Sequence, residues 1–280
     1  MSAKIKPRKV AMWDFFNAHP DAAGPVRPGT LEELHPGHRA SVELFVEALK
    51  GRHRVLDIGC GTGQPALYVA PHVQELVAVD AAPNMVALAR ENASRLGFRN
   101  ATFLVGGAEG LPFGDREFDG VSLLGLLESM DWQGVHGMMK EIRRVLEPGG
   151  SVAILEQDWQ HVLQAKPLLS REVRRDGQRL ILRVTKRSAS PLLERNTLYS
   201  VNSGSPSGEA LTRELGRQTR IETSIGPDDL DPEDVVDAWY HEGAQFDRQS
   251  LTELVSSYGF REIDIVLLPT WQELFLTALA

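Results

Sequence analysis

Residues 55–64 read VLDIGCGTGQ, an unbroken apolar run that empties into a turn with glycine at positions 59, 61 and 63. Glycine reaches backbone conformations closed to other residues and lets main chain lie close to a ligand. A buried strand ending in this way therefore marks a binding loop at the head of a strand–loop–helix unit. Nucleoside triphosphates, dinucleotides and other adenosine ligands are all held by such units. A triphosphate loop needs a lysine after its last glycine, and no lysine stands between Lys50 and Lys140. A dinucleotide fingerprint needs Gly-x-Gly-x-x-Gly. Here the sixth position is Gln64 and the third glycine falls one place early.

The residues around the loop say what sheet it belongs to. Apolar strands are expected at 53–58, 75–80, 101–106, 118–124 and 151–157, alternating with helices at 64–70, 83–97 and 132–146. Pro65 and Pro83 stand near helix starts and Gly97 at a helix stop. Strands that are apolar throughout and alternate with helices make a parallel sheet covered on both faces, and right-handed crossovers make it doubly wound. The end of the chain departs from this rhythm. A helix at 247–259 precedes two strands joined by a turn near Pro269 and Thr270, so one antiparallel strand closes the sheet.

Between them lies an insertion, 159–246, in which residues 167–188 and 231–243 carry helical signals. Lys166 to Arg187 holds eight basic and two acidic residues, whereas 222–242 holds eight acidic residues and no Lys or Arg. Such runs are most simply solvated or facing each other. The expected organisation is an N-terminal lid or helical segment (1–40), a ligand-binding domain (41–158 with 247–280) and a helical cap insertion (159–246) on the substrate side.

Composition narrows the function class. The formal net charge of −8 argues against broad nucleic-acid binding, and a single cysteine excludes a cysteine-rich zinc site; no metal is expected. No stretch approaches the roughly 18 apolar residues of a membrane span, so a cytoplasmic setting is expected.

VLDIGCGTG, then VAVDAAPNMVALAR, FLVGGAEGLPFGDREFDGV and EIRRVLEPGG, in that order and spacing, resembles the class I S-adenosylmethionine (SAM)-dependent methyltransferase family. Within it, the chain is most similar to the small-molecule branch that includes ubiquinone and menaquinone methyltransferases. The resemblance implies a Rossmann-like, mostly parallel seven-stranded sheet, SAM as methyl donor and S-adenosylhomocysteine (SAH) as product. It places Asp57 at the methionine ammonium, Gly59, Cys60, Gly61 and Gly63 along the cofactor, Asp80 on the ribose hydroxyls, and Ala81, Met85 and Leu124 beside the nucleoside. Gly107, Ala108 and Glu109 fall at the adenine edge. Relatives usually have an aspartate where this chain has Gly107, so one polar contact, worth on the order of 1.5–3 kcal/mol, is missing.

The acceptor side offers candidates only. Glu128 follows the fourth strand; Glu156, Asp158 and His161 follow the fifth, where a substrate should arrive. His19 and His241 are more distant candidates, and Trp13, Phe15 and Phe16 could close a lid. The reading is methyl transfer to a small-molecule acceptor at O, N or C. Two alternatives stay open: an RNA methyltransferase using the basic 166–187 stretch, and a SAM- or SAH-binding protein without transferase activity. A homodimer through the cap also stays open.

Overall fold

The computed structural model describes residues 34, 36–130, 132–158, 183–188, 193–203, 234–237, 246–269 and 273–280. Five helices are labelled α1 (Pro36–Leu49), α2 (Ala66–Val69), α3 (Pro83–Leu96), α4 (Trp132–Val145) and α5 (Arg248–Ser257). The strands are β1 (Arg54–Ile58), β2 (Glu75–Asp80), β3 (Ala101–Val105), β4 (Phe118–Leu124), β5 (Leu146–Gln157), β6 (Arg183–Ser188), β7 (Leu193–Ser203), β8 (Asp234–Asp237), β9 (Arg261–Leu268) and β10 (Glu273–Leu279).

Seven strands form one sheet in the order β3-β2-β1-β4-β5-β10-β9. β3, β2, β1, β4 and β5 are parallel, and β10 runs antiparallel between β5 and β9. This is the expected doubly wound, mostly parallel sheet. Its crossovers change direction between β1 and β4, so the loops after these strands splay apart at their carboxyl ends, where such sheets bind ligands.

Strand alternation sorts the core into two layers. Leu56, Ile58, Val121, Leu123, Val152 and Ile154 face α4 and α5, packing with Met138, Ile142, Leu251 and Val255. Val55, Ala78, Ala153, Leu155 and Phe275 face α1, α2 and α3, packing with Phe45, Leu49, Leu67, Val86 and Ala89. Asp57 and Ser122 fall in the second register, so two polar side chains share the inner face beneath α2.

One element is additional to the expected ones and two expectations are corrected. First, α1 was not anticipated and runs across residue 40, the expected segment boundary. Its place is set by packing: Phe45 meets Phe275 edge-on at 5.0 Å, and Ser41 Oγ donates to Glu273 Oε2 at 3.2 Å. Secondly, the sequence pattern ends a helix at 146 and starts a strand only at 151, yet β5 begins at Leu146. The Gly149 amide donates to Ala280 O at 2.9 Å and the Ala280 amide to Gly150 O at 2.8 Å, stitching the bend into the sheet. Thirdly, 183–188 and 234–237 of the insertion were read as helical but are strands of a separate three-stranded antiparallel sheet, β6-β7-β8. Val184 stands opposite Leu198 and Val201 opposite Val236; pairing over such distances in sequence overrides local propensity. β7 also lies between the basic strand β6 and the acidic strand β8, so the two do not pair. The remainder of the expected cap, and residues 1–33 of the expected lid, lie outside the described residues. Among the described residues no helix is long and apolar enough to cross a membrane.

Candidate functional site

The turn after β1 is built so that its three glycines have different duties. All take positive φ: 76° at Gly59, 50° at Gly61 and 110° at Gly63. A Cβ at Gly59 would lie 2.9 Å from Leu126 Cδ1, and one at Gly63 only 2.6 Å from Leu67 Cδ1. Those two positions are closed by the protein's own packing. A Cβ at Gly61 would meet nothing within 4 Å, so Gly61 alone borders open space where a ligand can lie. The Asn92 side chain, buried on α3, donates to Thr62 O at 2.9 Å and fixes the loop from below.

Two carboxylates flank the loop. Asp80 ends β2; its Oδ2 accepts the Gly61 amide at 2.8 Å and its Oδ1 the Ala82 amide at 2.8 Å. These bonds fix the plane of the carboxylate beside the open face of Gly61. Asp57 lies beneath the loop and is 1% exposed. Ser122 Oγ, on the paired residue of β4, donates to Asp57 Oδ1 at 2.6 Å, while Asp57 Oδ2 is shut from solvent with no hydrogen-bond partner. Burial pushes this carboxyl up to about 7, the Ser122 hydroxyl draws it down, the Asp80 charge raises it and the Ala66 amide lowers it slightly. A buried acceptor with one oxygen unpaired fits a cationic group supplied by a ligand.

The remaining expected cofactor residues stand in the loop after β1 and at or beyond the ends of β2, β3 and β4. Cys60 is buried, and burial, then the charges of Asp57 and Asp80, push its thiol up, which leaves it inert as a nucleophile. Ala81 follows Asp80, Met85 is buried in the first turn of α3, and Leu124 is half-buried at the end of β4. After β3, Gly107 is half-buried, Ala108 faces the α4 layer, and the Glu109 stem lies where a Cβ on Gly137 of α4 would be 3.5 Å away.

On the acceptor side, Glu156 is buried and its Oε1 accepts the Leu127 amide at 2.7 Å, which holds the short 3-10 turn Leu127–Ser129 after β4. Of Glu128 only the backbone is described, within that turn. Asp158 bridges to Phe246, so the chain leaves the main sheet and returns to it at paired residues beyond the carboxyl end of β5. Phe246 is buried against Trp132, ring centroids 5.1 Å apart. His161, His19, His241, Trp13, Phe15 and Phe16 lie outside the described residues.

Ser122, Asn92 and Leu126 were missed by the sequence reading. Ser122 is a lone hydroxyl in the apolar run FDGVSLL and Asn92 a lone amide on the buried face of α3; each is a buried polar group in need of a partner.

Comparison with known proteins agrees with this geometry. Residues 55–150 match the family model described as a methyltransferase domain. The demethylmenaquinone methyltransferase of Thermus thermophilus is 38% identical over 121 residues, 42% of this chain and 52% of that protein. The uncharacterized methyltransferase YcgJ of Bacillus subtilis is 37% identical over 107 residues, 38% of this chain and 42% of that protein. The chain thus spans about half the length of the curated relatives it matches. A SAM-dependent methyltransferase structure from Clostridium acetobutylicum superposes with a TM-score of 0.59 at 13% identity, covering 89% of this chain and 93% of that one; this likeness concerns the fold.

Proposed function

We propose that this chain, whose residues 55–150 are a methyltransferase domain, moves a methyl group from SAM to a small-molecule acceptor. The observation that carries the reading is the open face of Gly61 held between two carboxylates at the switch point of the sheet. Asp80 would accept the ribose hydroxyls, and the unpaired oxygen of Asp57 would face the methionine ammonium. SAM, when bound, supplies a methyl group on a positively charged sulfur.

The protein's task is then alignment and exclusion of water. Glu156 contributes by holding the turn after β4, and with it Leu126, against Gly59. The insertion, rooted at Asp158 and Phe246, would cover the acceptor. A base is needed only if the acceptor loses a proton near the transition state; Glu128, Asp158 and His161 are the candidates for it. The names of the demethylmenaquinone methyltransferases support a small, partly apolar acceptor.

Calorimetry with SAM and SAH tests the cofactor half of the reading. Labelled SAM offered to hydroquinones, phenols, small amines and bulk RNA tests the acceptor half. Label entering the small molecules supports the proposal; label entering RNA alone, or no binding of SAM, overturns it.

A further inference from the structure

Asp57 and Ser122 are directly paired residues of β1 and β4, and both side chains point to the inner face beneath α2. Ser122 is fully buried, and its hydroxyl spends its proton on Asp57 Oδ1 at 2.6 Å. That leaves Oδ2 as the oxygen of the carboxyl without a hydrogen-bond partner, with the Ala66 amide as the backbone group that faces the carboxyl. In the unligated protein a proton can sit there; in the complex the ligand's ammonium would. Both cannot occupy the same lone pairs.

Resting on the SAM reading above, we infer that Ser122 is a positioning residue that presents Oδ2 of Asp57 to the ammonium of SAM, and that ligand uptake expels a proton from Asp57 to solvent. The balance is simple: the carboxylic O–H bond breaks, the proton leaves to water, and the ligand's ammonium keeps all of its own. Burial is what makes the proton available near neutral pH, since the Asp57 carboxyl sits at about 7. The groups that face it are Asp80 from β2, which raises it, the Ala66 amide from α2 and the Ser122 hydroxyl from β4, which lower it, and the Cys60 thiol, itself pushed up and neutral.

The test is SAH binding by calorimetry between pH 5.5 and 7.5, below the titration of an α-amino group at about 7.7–8.0. Each pH is run in two buffers of different ionisation enthalpy. Affinity is expected to fall about tenfold per pH unit below the midpoint, with close to one proton released per SAH bound at the acid end. Asp57→Asn should bind more weakly with a flat profile and no proton release, which separates Asp57 from histidines titrating in the same range. Ser122→Ala should move the midpoint up, and Ser122→Thr should restore it. A flat wild-type profile with clear binding overturns the inference and leaves the SAM reading standing; no binding at any pH overturns both. A uniform loss of affinity in Ser122→Ala with an unmoved midpoint makes Ser122 merely structural and overturns its positioning role. If Ser122→Ala does not fold, the wild-type, Asp57→Asn and Ser122→Thr profiles decide the matter.

Discussion

Asp80 Oδ2 accepts the backbone amide of Gly61 at 2.8 Å, tying the end of β2 to the middle of the glycine loop. The bond makes the loop's open face and the carboxylate beside it one rigid unit. Asp80→Ala should therefore weaken SAM and SAH together, by about a hundredfold or more for the loss of two charge-assisted hydrogen bonds at about 1.5–3 kcal/mol each. Titration calorimetry on a variant whose circular dichroism matches wild type checks it; unchanged affinity contradicts the assignment.

The glycines should separate by substitution. Gly63→Ala meets Leu67 at 2.6 Å as well as a φ of 110°, and should lower stability by several kcal/mol, on the order of core overpacking plus backbone strain. Gly61→Ala meets open space and should cost only about 1–2 kcal/mol of conformational strain. Its larger effect should be on ligand affinity. Thermal melts with and without SAH distinguish the two.

Asp57 should make the unligated protein less stable as pH rises. Its carboxyl is raised from 3.8 to about 7 on folding. The folded state therefore holds its proton more tightly, and the contribution is fully present below about 4 and lost as pH rises through 7. Linkage sets its scale at about 4 kcal/mol. Asp57→Asn should consequently be more stable than wild type at pH 8 and similar at pH 4, read from urea unfolding without ligand.

Arg144 should show the opposite pH trend. Its guanidinium donates to Glu141, Asp115 and the carbonyl oxygens of Phe113 and Leu111, while Glu141 Oε2 accepts the Leu111 amide at 2.8 Å. This network fastens the segment between β3 and β4 to α4. The Arg144 side chain holds the Glu141 carboxyl below its ordinary range, so the stabilisation is present above the usual glutamate pKa and lost as pH falls through the depressed one. Arg144→Met should cost about 1–2 kcal/mol at pH 7, since the Arg144 side chain is 31% exposed. The difference should shrink in acid, as paired melts at pH 7 and pH 3 would show.

Much of this was written in the chain itself. Val55 to Ile58, Glu75 to Asp80 and Phe118 to Leu124 are apolar runs bounded by turn residues, and their alternation with helices dictates a doubly wound sheet. Gly59, Gly61 and Gly63 with Asp57 and Asp80 mark its ligand end, because glycine takes those backbone angles at least cost and the two carboxyls stand at or next to the carboxyl ends of β1 and β2. Tertiary structure decided what required distant partners. Nothing local packs α1 against Gly120 and Phe275, ties Gly149 and Gly150 to Ala280, or makes β6, β7 and β8 strands. Nor does any local pattern reveal that Gly59 and Gly63 are closed by Leu126 and Leu67 while Gly61 faces open space. The same holds for Ser122, an unremarked hydroxyl in an apolar run until β4 lies beside β1 and its proton meets Asp57. Periodicity reports which face a residue turns inward; the partner waiting there comes from elsewhere in the chain.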